Sequence, residues 1–161
     1  MTDLGITSEV VGFAPEERDP ALPTRAARLK WVIVVDEGLP AGRAVNAAVC
    51  AAAATSSAVT GLLGEDAVDA DGCAHPGLPW AGCSILVADA ATLRAVRSRA
   101  AAADGCFVAD MPSAAQHTRV YADYLHTVKE SAAEDLDYYA VSIVGPRNRV
   151  DKIVGRLPLM P

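Results

Sequence analysis

Aromatic residues are scarce in this chain. Two Phe, two Trp and four Tyr make up 5% of 161 residues, although 52% are hydrophobic. Much of the apolar count is alanine, so the core has to form by close backbone approach more than by large side chains. No Cys-x-x-Cys pair occurs: Cys50, Cys73, Cys83 and Cys106 stand apart, which excludes a zinc ribbon or a dithiol redox motif. The P-loop, the dinucleotide glycine motif and Gly-x-Ser-x-Gly are also missing. There is no excess of basic charge. The net charge is −6, which opposes broad, non-specific nucleic-acid binding. The opening Met-Thr-Asp-Leu-Gly lacks a basic segment followed by an apolar block, so no secretory signal is expected there. The charge-free stretch between Arg43 and Glu65 is long enough to span a bilayer. It is mostly Ala, interrupted by Asn46, Thr55, Ser56, Ser57 and Thr60, so no membrane span is expected. A cytoplasmic location with reduced thiols follows as the expectation.

What is present is organised around residues 30–64. Residues 30–36, Lys-Trp-Val-Ile-Val-Val-Asp, form a near-continuous apolar run, read as a strand buried on both faces. A turn over residues 37–42 leads into an Ala-rich helix over residues 43–63, which Gly61 and Gly64 break. On that helix Arg43, Asn46 and Cys50 share one face, and Val45, Ala48, Val49 and Ala52 form an apolar stripe beside it. Residues 1–27, with Pro15, Pro20 and Pro23 among charges, read as a flexible arm, and residues 28–161 as one domain. Residues 65–80 read as loop, residues 83–88 as a second strand, and residues 90–103 as a helix capped by Asp89, with Leu93 and Val96 inward and Arg94, Arg97 and Arg99 outward. Residues 106–110 form a short strand ending in a carboxylate. Ser113 caps a helix running to Ser131, residues 138–144 make a fourth strand, and residues 149–154 a short helix. Alternating strands and helices predict a three-layer α/β/α sandwich around a four-stranded mixed sheet.

In such sheets ligands sit beyond the carboxyl ends of strands, where helix amides also point. Asp36 and Asp110 both end strands, and Arg43 and Asn46 open the first helix, so all four are candidates for one crevice. Arg43 can keep an Asp ionised, hold a carboxylate or phosphate, or stabilise an oxyanion. Equally, the two Asp can cap turns and Arg43 can pair with one of them. Gln116 and Thr118, near the start of the helix after Asp110, can reach the same crevice, whereas Tyr121 and Tyr124 read as core rings with polar tips. Asp69, Asp71, Cys73 and His75 surround Gly72 in a pattern of a self-bonded turn rather than a metal loop, and no metal or cofactor is expected. Cys50 and Cys83 read as small core residues rather than nucleophiles. Arg147, Arg149, Lys152 and Arg156 form a solvated basic segment able to meet phosphates.

The strand-turn-helix from Lys30 through Gly42, Arg43, Ala47 and Ala48 resembles the opening of domain of unknown function two-thousand, a bacterial family. So do the segments Asp-Ala-Asp-Gly (69–72), Ala-Gln-His-Thr-Arg-Val-Tyr-Ala-Asp-Tyr (115–124) and Gly-Pro-Arg-Asn-Arg-Val-Asp-Lys-Ile-Val-Gly (145–155). That family is similar to the type II peptidyl-tRNA hydrolases, which cleave the ester joining a peptide to tRNA and often dimerise. Against their Gly-Lys and Ala-Ala-Gln-x-x-His motifs, this chain has Arg43 for the lysine, keeps Ala47-Ala48, and carries Val49 and Ala52 for the glutamine and histidine. In the second motif Asp110 is followed by Met111-Pro112, with Ala114 at the threonine position. The resemblance implies a peptidyl-tRNA hydrolase type II-like fold, a homodimer, and a hydrolase of aminoacyl- or peptidyl-tRNA or of a related acyl ester or amide. Arg43, Asp110 and Asn46 would then be catalytic, and Asp36, Gly42, Gln116 and Thr118 would bind substrate. The alternative is a non-catalytic module binding a small anionic ligand or a partner protein.

Overall fold

In the computed structural model, which describes residues 10–161, the apolar run after Arg28 becomes strand β1 (Leu29–Asp36). It is followed by α1 (Ala41–Ala58), β2 (Ala67–Val68), β3 (Ala74–His75), β4 (Ser84–Ala88), α2 (Ala90–Ala101), β5 (Phe107–Pro112), α3 (Ala114–His117), α4 (Tyr121–Glu130), β6 (Tyr138–Pro146) and α5 (Arg147–Val154). Four strands form one sheet in the order β4-β1-β6-β5, while β2 and β3 pair as a separate hairpin. β1 runs parallel to β4 and antiparallel to β6, and β6 runs antiparallel to β5. The sheet is therefore mixed, and β1, β4 and β5 end along the same edge. The last residues lie along β4, where Val87 N donates to Pro158 O and Met160 N to Ile85 O. That pairing covers a strand edge that would otherwise stay open.

Alternation along β1 sorts the core into two halves. Trp31, Ile33 and Val35 pack with Ala44, Ala47 and Ala51 of α1. Val32 and Val34 face Leu93, Val96 and Ala100 of α2, and Val150, Ile153 and Val154 of α5. Helices thus cover both faces of an α/β sheet. The alanines allow α1 to lie close on the strands, and one polar chain bonds it down. Trp31 Nε1 donates to Ser142 Oγ (2.8 Å), Ser142 Oγ lies 2.7 Å from Thr55 Oγ1, and Thr55 Oγ1 donates to Ala51 O (2.8 Å). The Thr55 proton is used on Ala51 O, so the Ser142 proton must go to Thr55. The result is an unbroken relay from indole to helix carbonyl.

Several expectations are corrected. The stripe Val45, Ala48, Val49 and Ala52 lies only partly against the core, where Ala48 and Ala52 are half-buried. Its two valines are 56% and 58% exposed, and the buried positions are Ala44, Ala47, Ala51 and Thr55, one residue or about 100° round the helix. α1 ends at Ala58, before Gly61. β5 continues to Pro112, so Asp110 lies within the strand, and α5 begins at Arg147. The long helix over residues 113–131 is two helices. Thr118 is extended (φ −111°, ψ 149°) and its hydroxyl donates to Ala114 O (3.0 Å), which closes α3 before α4 begins after Val120. Ser113 makes no side-chain cap; instead its amide donates to Asp137 O. α4 has no buried residue, and Tyr121 is 74% exposed, so it is not a core ring. Asp89 does cap α2, accepting from Thr92 N at 2.8 Å, and Leu93 and Val96 are fully buried.

Of the expected arm, residues 1–9 lie outside the described residues. Beyond them Phe13 is buried and meets the Trp80 ring edge-on with centroids 4.8 Å apart. Among the described residues no helix is long and apolar enough to cross a membrane.

Candidate functional site

The turn after β1 is shaped by Asp36, whose Oδ1 accepts the Gly38 amide at 2.8 Å. α1 then starts behind Pro40, which offers no side-chain cap, and its first intrahelical bond runs from Ala44 N to Pro40 O. The amides of Ala41, Gly42 and Arg43 are the orphan donors that every helix start carries. A side chain added at Gly42 would meet nothing within 4 Å. The Arg43 side chain is exposed and has no ion pair among the described residues.

Gln116 of α3 reaches this first turn. Its Nε2 donates to Arg43 O (3.0 Å) and Asn46 Oδ1 (3.2 Å). The Arg43 carbonyl can only accept, which fixes the orientation of the Gln116 amide. Gln116 Oε1 is left buried without a partner among the described residues. One residue on, His117 Nε2 lies 2.9 Å from the Tyr139 hydroxyl. Sequence reasoning did not single out Tyr139, because its place beside α3 depends on the irregular pairing of β5 with β6 after Met111.

Asp110 is not brought to this group. It pairs across the sheet with Val141, which pairs with Val34, and these residues point to the α2 face. There Arg97 Nε donates to Asp110 Oδ2 at 3.1 Å, and the Arg97 guanidinium stands 5.6 Å from the Tyr138 ring centroid. Burial pushes the Tyr138 hydroxyl up; the Arg97 charge opposes this and the Asp110 charge adds to it, so the hydroxyl stays protonated. Asp36, an even residue of β1 paired with Ala88, belongs to the same face. The fold thus brings Gln116 to Arg43 and Asn46, with Gly42 in the same first turn, and separates them from Asp110 and Asp36; Thr118 bonds within α3 and makes no hydrogen bond of its own to this turn among the described residues.

The other candidate groups are tied into the fold. Asp69 accepts from the amides of Asp71 and Cys73, both at 2.9 Å, and lies 3.3 Å from His75 Nε2. Those bonds, the Cys73 amide foremost, hold its carboxyl below the usual range. Arg147 donates to Ala27 O (3.1 Å) and Arg149 to Asp104 O, so these two cations brace loops.

A family described as "Protein of unknown function (DUF2000)" matches residues 29–161. No curated protein matches the chain in sequence. Among solved structures, a protein of unknown function from Agrobacterium tumefaciens strain C58 superposes with a TM-score of 0.77, over 83% of this chain and 98% of its own, at 16% identity. At that identity the likeness is one of fold.

Proposed function

Since the chain belongs to the DUF2000 family of proteins of unknown function, we propose that its domain is a binding module that takes a small anionic group at the amino end of α1. The observation that carries this reading is the separation of Arg43 from Asp110. An esterase centred on that pair needs both in one crevice, but Asp110 is held by Arg97 beneath the opposite face. Arg43 remains exposed beside three uncapped amides. A guanidinium next to free helix amides suits a carboxylate or phosphate. In this reading Gly42 leaves room for the anion to approach the amides. Asn46 and Gln116 fix the helix turn that presents them, Thr118 closes α3 behind Gln116, and Asp36 shapes the turn. The test is a melting experiment with inorganic phosphate. The expected result is a rise in Tm that grows with phosphate and is lost in Arg43→Ala. A rise that survives in Arg43→Ala sinks the reading.

A second reading keeps the chemistry on a peptidyl-tRNA hydrolase type II-like fold, with a cytoplasmic homodimer acting on aminoacyl- or peptidyl-tRNA or a related acyl ester. It is favoured by the His117–Tyr139 hydrogen bond next to Gln116, a base held by a hydroxyl. Deacylation of a mixed pool of aminoacyl- and N-acetyl-aminoacyl-tRNA decides it. Release that disappears in His117→Gln supports an esterase, and no release by the parent protein removes it. Light scattering tests the dimer.

A further inference from the structure

One cavity lies away from the amino end of α1. It has a volume of about 520 Å³ and opens between residues 15–20 of the N-terminal arm and residues 64–80 of the loop. This is in the size range of small-molecule sites. Leu78, Pro79 and Trp80 supply apolar lining. Leu78 is 77% exposed, so its side chain has little protein over it. The charged lining comes from both segments: Arg18 from the arm, Glu65 and His75 from the loop. His75 is engaged by Asp69 at 3.3 Å. Neither Arg18 nor Glu65 has an ion-pair partner among the described residues, although both line the same cavity.

Both walls are held in place by hydrogen bonds and ion pairs of their own. On the loop side, Gly64 N donates to Leu78 O (2.8 Å) and Gly77 N to Asp66 Oδ1 (2.9 Å). Gly64 and Gly77 touch so closely that a Cβ on Gly77 would fall 2.0 Å from Gly64 O. The Trp80 indole is fixed by donating to Gly61 O (2.8 Å). On the arm side, Phe13 N donates to Thr60 O (2.8 Å), and Glu17 bonds Arg28 at 2.6 Å. A site whose walls are already ordered loses less entropy on binding.

We propose that this cavity binds a zwitterionic small molecule with an apolar side chain, of the amino-acid class, its carboxylate on Arg18, its ammonium on Glu65 and its side chain against Leu78 and Trp80. Unpaired charges of both signs beside one apolar floor match that distribution of groups. An apolar monoanion would leave Glu65 as an unpaired repulsive charge. An apolar monocation would do the same to Arg18.

The experiment is calorimetric titration of the full chain with L-phenylalanine, phenylacetate and phenethylamine, at up to about 10 mM, a range that reports millimolar affinity. Arg18 and Glu65 are exposed, so Arg18→Gln and Glu65→Gln fold normally, which circular dichroism checks. L-Phenylalanine is expected to bind, and each substitution to weaken it by about tenfold or more, the loss of one charge-assisted contact. Phenylacetate should bind more weakly than L-phenylalanine, be weakened further by Arg18→Gln and be strengthened by Glu65→Gln, and phenethylamine should show the reverse pattern. The proposal is overturned if L-phenylalanine gives no saturable heat, if both variants bind it like the parent, or if phenylacetate binds more tightly than L-phenylalanine. Arg43→Ala is run alongside and should leave this binding unchanged. Loss of binding in that variant would place the ligand at α1 and overturn the cavity assignment while leaving the α1 reading standing.

Discussion

Removing the Ser142 hydroxyl should loosen α1 from the sheet by an amount set by one orphaned indole. Thr55 and Ser142 are fully buried and Trp31 nearly so. In Ser142→Ala the Trp31 N–H loses its acceptor at 2.8 Å and water cannot replace it. Leaving a buried donor unmade costs about 1–3 kcal/mol. Thr55 keeps its own bond to Ala51 O, so it adds little. A net loss of about 2 kcal/mol is expected, equivalent to roughly 4–8 °C in Tm for a domain of this size. Thr55→Val removes the oxygen that accepts the Ser142 proton and should cost about 1–2 kcal/mol. The two losses should not add. Once Ser142 is alanine, Thr55 Oγ1 has no donor to lose, so a coupling of about 1 kcal/mol is expected from the double-mutant cycle. Urea unfolding followed by far-ultraviolet circular dichroism measures all four corners without relying on Trp31 emission. A coupling below about 0.3 kcal/mol would mean that the two hydroxyls act independently and would refute the relay. A Ser142→Ala loss below about 0.5 kcal/mol would show that the indole finds another acceptor. The relay holds the carboxyl-terminal half of α1 on the sheet, remote from Arg43.

Three further outcomes follow from local chemistry. Gly42→Ala should stabilise the protein by about 0.5–1 kcal/mol, because the added methyl meets nothing and the helix loses a flexible residue; a destabilised variant in urea would mean that the turn needs glycine. The Glu17 carboxyl is held below its usual range by the hydrogen bond from Arg28 and then by the Ala14 amide. A depressed folded pKa gives a contribution present in full above the unfolded Glu value and lost as pH falls through the lowered folded value. Trp80 emission should therefore change in that acid window in the parent and not in Glu17→Gln. Among the thiols, Cys50 and Cys73 are exposed and should alkylate readily at mildly alkaline pH. Cys83 also presents surface to solvent, but reactivity follows the environment of the sulfur, where desolvation by the surrounding protein pushes the thiol up to about 12. It should stay unmodified in intact-mass measurements, and labelling as fast as Cys50 would contradict that.

The local elements were legible because their causes are local. The run over residues 30–36 has no polar alternation, Asp89 stands one residue before a helix, and Leu93 and Val96 recur at helical spacing. The family resemblance rested on short segments in order and agrees with the match over residues 29–161. The buried face of α1 was not legible. An alanine-rich helix carries too little contrast between its sides to say which positions pack: Val45 and Val49 stay exposed, and Ala44, Ala47 and Ala51 give the close approach. The break at Thr118 was hidden because a threonine that bonds back to Ala114 O looks, in sequence, like any other helical position.

The candidate site divides along the same line. The sequence by itself determined which side chains stand near strand ends and helix starts: Asp36, Gly42, Arg43, Asn46, Asp110, Gln116 and Thr118. Tertiary structure decided which of them share a side of the sheet. Successive residues of a strand face opposite ways, and β6 lies between β1 and β5, so the β5 register against β6 sends Asp110 to Arg97 and away from Arg43. The cavity between the arm and the loop is likewise a tertiary product. Arg18 and Glu65 are far apart in the chain, and the docking of the arm, by Phe13 against Trp80 and by the Phe13 N–H to Thr60 O bond, brings their segments to one opening.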